Sequence, residues 1–255
     1  MPQLSACIEM IFHELPFNNR IPAVAAAGLP AFEFWGWQGK DLNALTALRD
    51  DHGLVISSFS GHNGGAIPLV DPANREAVVV SIRESCEVAT RLDCRTLIVT
   101  TGNAIAEQSR ESQHQAVVDT LKAAARVAED YGVTLVLEPL NILVNHAGYY
   151  LVSSTEGFDI IREVARPSVR LLYDVYHQQI SEGFLTQTLV DHAAMIGHIH
   201  VADTPGRHQP GTGEINYRHI FRVIDGIGYG GYVGLEYLPE GDPLESIRAS
   251  LRLTE

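Results

Sequence analysis

The sequence has few cysteines and no long apolar run. Its three cysteines, Cys7, Cys86 and Cys94, are odd in number and lack Cys-x-x-Cys spacing, and a chain of 255 residues does not need disulfides to hold a core. They predict reduced thiols and a cytoplasmic protein. No apolar stretch approaches the roughly 18 residues of a membrane-spanning helix, and the N-terminal segment lacks the basic region of a secretory signal. We therefore expect no membrane partner.

The sequence also has little positive charge. There are 18 Lys and Arg residues against 31 Asp and Glu residues, which gives a formal net charge of −13, and no cluster of basic residues interrupts this balance. An acidic surface repels phosphate backbones, so we expect no nucleic-acid partner. Because 45% of the residues are hydrophobic, the chain can bury a large core, which excludes a disordered protein.

Eight short apolar runs alternate with amphipathic segments along the chain. The runs are typical of parallel strands buried on both faces, and they cover residues 4–11, 31–35, 54–60, 96–101, 133–138, 169–174, 197–202 and 232–237. Two of the segments between them, 71–92 and 109–131, have helical spacing of apolar residues. Eight strand–helix units over about 250 residues predict a (β/α)₈ TIM barrel.

A doubly wound parallel sheet is the alternative α/β fold. It would show fewer units or a glycine-rich phosphate-binding turn after its first strand. The first predicted strand is instead followed by the sequence FHELP at 12–16. No linker or low-complexity block divides the chain, so we predict one barrel domain over residues 1–255.

Ionisable side chains stand at the ends of the last four predicted strands. Active sites of TIM barrels lie at the C-terminal ends of the strands, and the alternation of side chains places these residues on the inside. No Lys or Arg lies next to these strand ends, so a bound cation is the simplest compensation for the buried carboxylates. Oxygen ligands with one imidazole favour Mn²⁺ or Mg²⁺, and also suit Co²⁺ or Zn²⁺. The four predicted ligands are Glu138, Asp174, His200 and Glu236.

At these residues the sequence resembles a known family. The segments LEPLN (137–141), LLYDVYHQQISEG (171–183), GHIHVADTPGRHQPGTGEINY (197–217) and GYVGLEY (231–237) are similar to the hydroxypyruvate isomerase family. That family lies within the xylose isomerase-like TIM barrel superfamily, which also holds ketose 3-epimerases and inosose isomerases. The resemblance implies one divalent metal ion on the four ligands, with Glu138 and Glu236 as the catalytic acid/base pair and His177 in contact with substrate.

This resemblance implies a metal-dependent isomerase that acts through an enediolate on a small, non-phosphorylated hydroxy-keto acid or sugar. Hydroxypyruvate isomerases commonly have Gln where this chain has His200, whereas the epimerases and inosose isomerases have His. A ketose 3-epimerase, an inosose isomerase and a 3-keto-sugar lyase therefore stay open as alternatives that use the same site. An endonuclease of the same fold would need a basic groove that the composition does not provide. A non-catalytic carbohydrate-binding barrel is a further alternative, and a homo-oligomer is compatible with the family.

Three loop residues are candidates for substrate binding besides His177. Arg207, after the seventh strand, either holds a substrate carboxylate or pairs with Glu214 in its own loop. His62 follows the third predicted strand and is a candidate contact for a sugar hydroxyl. Trp35, after the second, either forms an apolar wall of the site or packs in the core or in an interface. The acidic sequence YLPEGD at 237–242 disfavours a phosphorylated substrate.

Overall fold

A closed barrel of eight parallel strands forms the centre of the molecule in the computed structural model, which describes all of residues 1–255. Each strand pairs with the next, and the first pairs with the last to close the barrel. The predicted (β/α)₈ architecture is confirmed. The strands are β1 (Gln3–Cys7), β2 (Ala31–Phe34), β3 (Val55–His62), β4 (Thr96–Val99), β5 (Thr134–Leu137), β6 (Val169–Asp174), β7 (Ile196–Val201) and β8 (Tyr232–Leu235).

One helix follows each strand, except that two follow β6. They are α1 (Phe17–Ala26), α2 (Leu42–Asp51), α3 (Arg75–Arg91), α4 (Arg110–Tyr131), α5 (Ser154–Val164), α6 (Val175–Ser181), α7 (Leu185–His192), α8 (Tyr217–Gly226) and α9 (Pro243–Arg252), with short 3₁₀ turns at Pro72–Asn74 and Ala193–Met195. Local signals set their ends. The Ser109 hydroxyl accepts a hydrogen bond from the backbone of Ser112 at the start of α4, and Gly132, at φ +64°, ends it.

The first strand is shorter than its apolar run predicts. Residues 8–13 turn away from the barrel after Cys7, because the backbone N–H groups of Met10 and Ile11 both donate to the Cys7 carbonyl. The apolar side chains of this turn are still buried, and that explains why the pattern resembled a longer strand.

The interior of the barrel is divided between an apolar side and a polar side. Ile98, Val136 and Leu172 form a small apolar cluster of their own on β4, β5 and β6, separate from the large core between strands and helices. Glu33 of β2 and His198 of β7 instead meet in the interior, 2.8 Å apart. Ionisable groups are therefore buried inside the barrel beside the apolar cluster.

None of the helices has the combination of length and apolar character needed to cross a bilayer. The assignment of residues 1–255 to a single domain stays a prediction.

Candidate metal centre and active site

The structure brings the four predicted metal ligands together at the C-terminal mouth of the barrel. One ligand atom from each lies within 4.8 Å of the others. Nδ1 of His200 is 3.7 Å from Oε1 of Glu138 and 3.6 Å from Oε2 of Glu236. Asp174 completes the group from the end of β6, where Oδ1 also accepts the backbone N–H of His177 at 3.1 Å. That these residues bind a metal stays a prediction.

The strand ladder explains why these side chains point inward. The backbone N–H of Glu138 donates to the carbonyl of Val99, and that of Glu236 donates to the carbonyl of Val201, so both residues continue the pairing one step beyond their strands. Glu138 thus shares the inward orientation of Val136, two residues earlier.

Burial, mutual repulsion and the neighbouring cations give the three carboxyl groups of this cluster different pKa values. Burial, together with the neighbouring carboxylates, raises the pKa of Glu138 to about 7 and raises the pKa of Asp174 above its ordinary value. Burial opposes ionisation of Glu236 as well, but Arg207 and His200 outweigh it and hold the pKa of Glu236 well below its usual range. Two of the three carboxyl groups therefore lack full charge compensation from the protein.

The expectation that no basic residue lies near these strand ends is wrong. The Arg207 guanidinium donates to Oε2 of Glu236 and lies 5.1 Å from the centre of the Tyr176 ring. Sequence distance concealed this contact, because the loop after β7 folds back over the barrel. The alternative pairing of Arg207 with Glu214 does not form, since Glu214 accepts a hydrogen bond from Gln179.

Asp203 organises the loop that carries Arg207. It is fully buried, and its carboxylate accepts the backbone N–H groups of Thr204, Gly211 and Ile215 at 2.8–3.1 Å. The loop is thus closed on itself by one side chain at the end of β7. This closure directs Arg207 to the mouth of the barrel.

The cluster fits a divalent cation. Nδ1 of His200 is buried, has no hydrogen-bond partner and faces the three carboxylates. Carboxylate oxygens with one imidazole nitrogen match the ligand preferences of Mn²⁺, Mg²⁺, Co²⁺ and Zn²⁺. The single arginine, paired with one carboxylate, does not replace such a cation.

Glu33 is a functional candidate that the sequence analysis missed. It is buried in β2, where its Oε2 accepts hydrogen bonds from Nε2 of His198 at 2.8 Å and from Oγ of Ser58 at 3.0 Å. Its Oε1 lies 3.0 Å from Nε2 of His200. Nδ1 is thus the His200 atom that faces the predicted metal ligands. The sequence feature that could have identified Glu33 is an acidic residue within the otherwise apolar strand AFEF.

His198 is a buried histidine whose Nε2 is hydrogen-bonded to Glu33, and a glycine makes room for this network. A Cβ atom on Gly234 would lie 2.2 Å from Oε1 of Glu33 and 2.7 Å from Cδ2 of His200. Only a residue without a side chain allows the carboxylate and the imidazole to meet at this point of β8.

A cavity of about 630 Å³ opens above the cluster. Its walls include all four predicted substrate-binding residues, Trp35, His62, His177 and Arg207, beside Glu138 and Glu236. Trp35 is 48% exposed, which excludes the core-packing alternative, and its indole N–H donates to Oε1 of Glu236 at 3.4 Å. Arg207 is the only Lys or Arg among the lining residues.

Three histidines line the cavity, and the two that the sequence predicted as substrate-binding residues differ in their free hydrogen-bonding groups. Both ring nitrogens of His62 are engaged within the protein, Nε2 with the carbonyl of Ile67 at 2.8 Å and Nδ1 with the hydroxyl of Ser81 at 3.2 Å. His177 has a buried Nε2 without a partner. Of the two, only His177 has a ring nitrogen available to a substrate, so the predicted sugar contact of His62 is limited to its ring carbons.

Comparison with known proteins agrees with the fold and the site. The chain matches the xylose isomerase-like TIM barrel family over residues 21–255, and it belongs to that family. It is 34% identical to the 2-oxo-tetronate isomerase of Cupriavidus necator over 244 residues, with 94% of each chain covered. It is 31% identical to the hydroxypyruvate isomerase of Escherichia coli over 249 residues, with 94% of this chain and 95% of that protein covered. The predicted enzyme class, isomerase, is confirmed.

A solved structure from Brucella melitensis has the same fold across its whole length. It superposes with a TM-score of 0.92 at 29% identity, covers 99% of both chains and is described as an AP endonuclease of family 2. The endonuclease name refers to that protein.

Proposed function

We propose that this chain is a divalent-metal-dependent isomerase of small, non-phosphorylated hydroxy-keto acids of the hydroxypyruvate or 2-oxo-tetronate class. The observation that carries the proposal is the convergence of Glu138, Asp174, His200 and Glu236 at the mouth of the barrel, beside Arg207. The names of the curated relatives support this substrate class. A cytoplasmic location and a homo-oligomeric state stay predictions.

The four converging residues would hold one ion, with Mn²⁺ or Mg²⁺ preferred over Co²⁺ or Zn²⁺. When bound, a divalent ion supplies Lewis-acid polarisation of the substrate's carbonyl and neighbouring hydroxyl oxygens. His200 presents Nδ1 to the cluster, and the carboxylate of Glu33 lies 3.0 Å from its other ring nitrogen, where an outer carboxylate favours this orientation of a histidine ligand.

Glu138 and Glu236 act as the acid/base pair. Moving a carbonyl to the neighbouring carbon requires removal of a C–H proton, formation of an enediolate, return of a proton to the other carbon and transfer of the hydroxyl proton to the former carbonyl oxygen. A carboxylate with a pKa near 7, such as Glu138, can both take and give a proton close to neutral pH. Because the carboxyl groups interact, the pH dependence belongs to the pair.

Arg207 and His177 bind the substrate around the reacting carbons. A guanidinium presents two parallel N–H donors to a carboxylate, so Arg207 suits the acid group of a keto acid. The free Nε2 of His177 supplies a donor for the oxygen that becomes negative during the reaction. Only one cationic residue lines the cavity, and the exposed Glu240 lies in the following loop. This charge balance disfavours phosphorylated sugars and nucleic acids.

The size of the cavity supports a second candidate, an epimerase of free ketoses. A volume of about 630 Å³ is far more than a three-carbon acid fills. The cavity is also lined by uncharged polar residues that suit hydroxyls, namely Gln38, Ser60, Asn63, Ser81 and Thr100.

A turnover screen in deuterated solvent distinguishes these candidates. Metal-loaded protein is incubated with hydroxypyruvate, 2-oxo-tetronate, ketopentoses, ketohexoses and inosose, and the products are mapped for deuterium. Isomerisation labels the carbon that receives the proton, epimerisation labels the inverted centre, and a lyase loses a group. Activity confined to phosphorylated sugars would contradict the proposal.

The acid/base assignment has its own test. We expect Glu138→Gln and Glu236→Gln to lower kcat on the order of 10²- to 10⁴-fold in protein that still binds Mn²⁺. Glu240→Gln, which removes an exposed carboxylate of the neighbouring loop, is the matched control and should retain activity. Full turnover in both glutamine variants, with metal retained, rules out the assignment.

A further inference from the structure

Asn141, three residues after Glu138, is buried directly behind His177. Its Oδ1 accepts hydrogen bonds from the backbone N–H groups of Val144 at 3.0 Å and Asn145 at 3.1 Å. A backbone N–H can only donate, so these two contacts identify the oxygen of the side-chain amide. The amide nitrogen, Nδ2, must therefore lie on the other side, towards His177.

This orientation determines where His177 carries its proton. Nδ2 of Asn141 is 2.7 Å from Nδ1 of His177, and the backbone N–H of Asn141 donates to the same ring nitrogen at 3.1 Å. Two donors face Nδ1, so Nδ1 accepts and has no proton of its own. The ring is therefore a neutral imidazole with its proton on Nε2.

The protonated nitrogen has no acceptor within the protein. Nε2 of His177 is buried without a hydrogen-bond partner, in the wall of the cavity, and the nearest carboxylate oxygen, Oδ2 of Asp174, is 3.7 Å away. Leaving a buried N–H unpaired costs free energy. A substrate oxygen in the cavity would supply the missing acceptor.

We propose that Asn141 is a positioning residue that holds His177 as a fixed hydrogen-bond donor to the substrate. The inference rests on the proposed function for the identity of the acceptor, while the proton position follows from contacts within the protein. Because Nδ1 is occupied by two donors, His177 cannot move its proton there and become an acceptor at Nε2. Proton removal is then left to the glutamates.

The proton position can be measured without substrate. We expect ¹⁵N spectra of histidine-labelled protein, metal-free and Mg²⁺-loaded, to show His177 with an unprotonated Nδ1 and a protonated Nε2. The His177→Gln variant identifies the signals by their loss. A protonated Nδ1, or a rapidly exchanging mixture of the two tautomers, would overturn the proposal.

Asn141→Asp replaces the closer of the two donors at Nδ1, the side-chain amide at 2.7 Å, by a charged acceptor and keeps the shape of the side chain, while the backbone N–H at 3.1 Å remains. One carboxylate oxygen still accepts the two backbone N–H groups, but the other now presents lone pairs to His177. We expect Nδ1 to become protonated and kcat to fall on the order of 10²-fold, with KM changed far less, because a donor at the reacting oxygen is lost.

Asn145→Asp is the control for added charge. It introduces the same negative charge in the same loop but retains an acceptor for the hydroxyl of Tyr176, which Asn145 accepts at 2.8 Å. We expect the wild-type tautomer in this variant. If Asn145→Asp moves the proton as Asn141→Asp does, or if Asn141→Asp leaves it in place, the positioning role is wrong. Absence of turnover on every keto acid and sugar would instead contradict the proposed function and leave the tautomer result unaffected.

Discussion

The buried carboxylate of Glu33 contacts two histidines, His198 and His200, and only His200 faces the predicted metal ligands. Its Oε1 lies 3.0 Å from Nε2 of His200, on the side of the ring away from Nδ1, which faces Glu138 and Glu236. Outer partners of this kind orient a ligand and raise its basicity. The sequence predicts His200 but not its partner Glu33, because β2 has the pattern of an apolar strand and only the fold of the barrel brings it close to β7.

We expect Glu33→Gln to lower the affinity for Mn²⁺ by about 10- to 100-fold, since His200 loses the carboxylate that orients it. Calorimetric titration with Mn²⁺ measures this directly. Glu163→Gln is a matched control, because Glu163 also contacts a histidine, Nε2 of His114 at 3.0 Å, but on the surface. Unchanged affinity in Glu33→Gln would show that the orientation of His200 does not depend on Glu33.

Metal binding should be linked to protons at the same residues. Burial opposes the protonation of His200, but Glu33 and Glu236 outweigh it and raise the pKa of His200 well above its ordinary value, while the pKa of Glu138 is about 7. Below these values the ligand atoms carry protons that a cation must displace, so affinity rises with pH through 7. Titrations between about pH 6 and 8, in buffers of different ionisation enthalpy, measure the affinity and the protons released. If the affinity for the cation falls or stays constant as the pH rises, metal binding is not linked to proton release from these residues.

At the scale of single elements, β8 depends on a residue without a side chain. We expect Gly234→Ala to lower the free energy of unfolding by about 1–3 kcal/mol, because the new methyl group overlaps Glu33 and His200. The control is Gly226→Ala at the end of α8, where a Cβ meets no atom within 4 Å. It should stabilise the protein by about 0.4–1 kcal/mol. Denaturant unfolding measures both, and equal effects of the same sign would contradict the role of Gly234.

The elements that the sequence predicted well are those with repeated local signals. Near-continuous apolar runs identified all eight strands, and the alternation of side chains correctly oriented Glu138 and His200. Two features were predicted wrongly or not at all because they depend on loops. The turn after Cys7 preserves apolar burial without strand pairing, and the loop after β7 carries Arg207 back to Glu236 through contacts of Asp203. Neither leaves a periodic pattern in the sequence.

At the scale of the whole molecule, closure of the barrel brings residues that are far apart in the sequence close together in space. The predicted ligands are spread from residue 138 to residue 236, yet one atom of each lies within 4.8 Å of the others. This convergence was predictable from the fold class, since consecutive parallel strands end on the same face. The roles of Glu33 and Asn141 were not predictable from the fold class, because each acts through a second side chain whose position only the folded chain defines.

A barrel closed by pairing of β1 with β8 is expected to unfold as one unit, and its predicted metal ligands come from strands that separate when it does. We therefore expect a single denaturant transition that coincides by circular dichroism and tryptophan fluorescence.

Mn²⁺ at about 100 times its Kd should add about 2.7 kcal/mol to the free energy of unfolding, because the cation binds only the assembled site, and a chelator should reverse the gain. Asp174→Asn removes a ligand carboxylate while keeping an oxygen for the backbone N–H of His177, so this variant should lose most of the Mn²⁺ effect. Two separate transitions would contradict the single domain, and equal stabilisation of the wild type and Asp174→Asn would place the cation elsewhere.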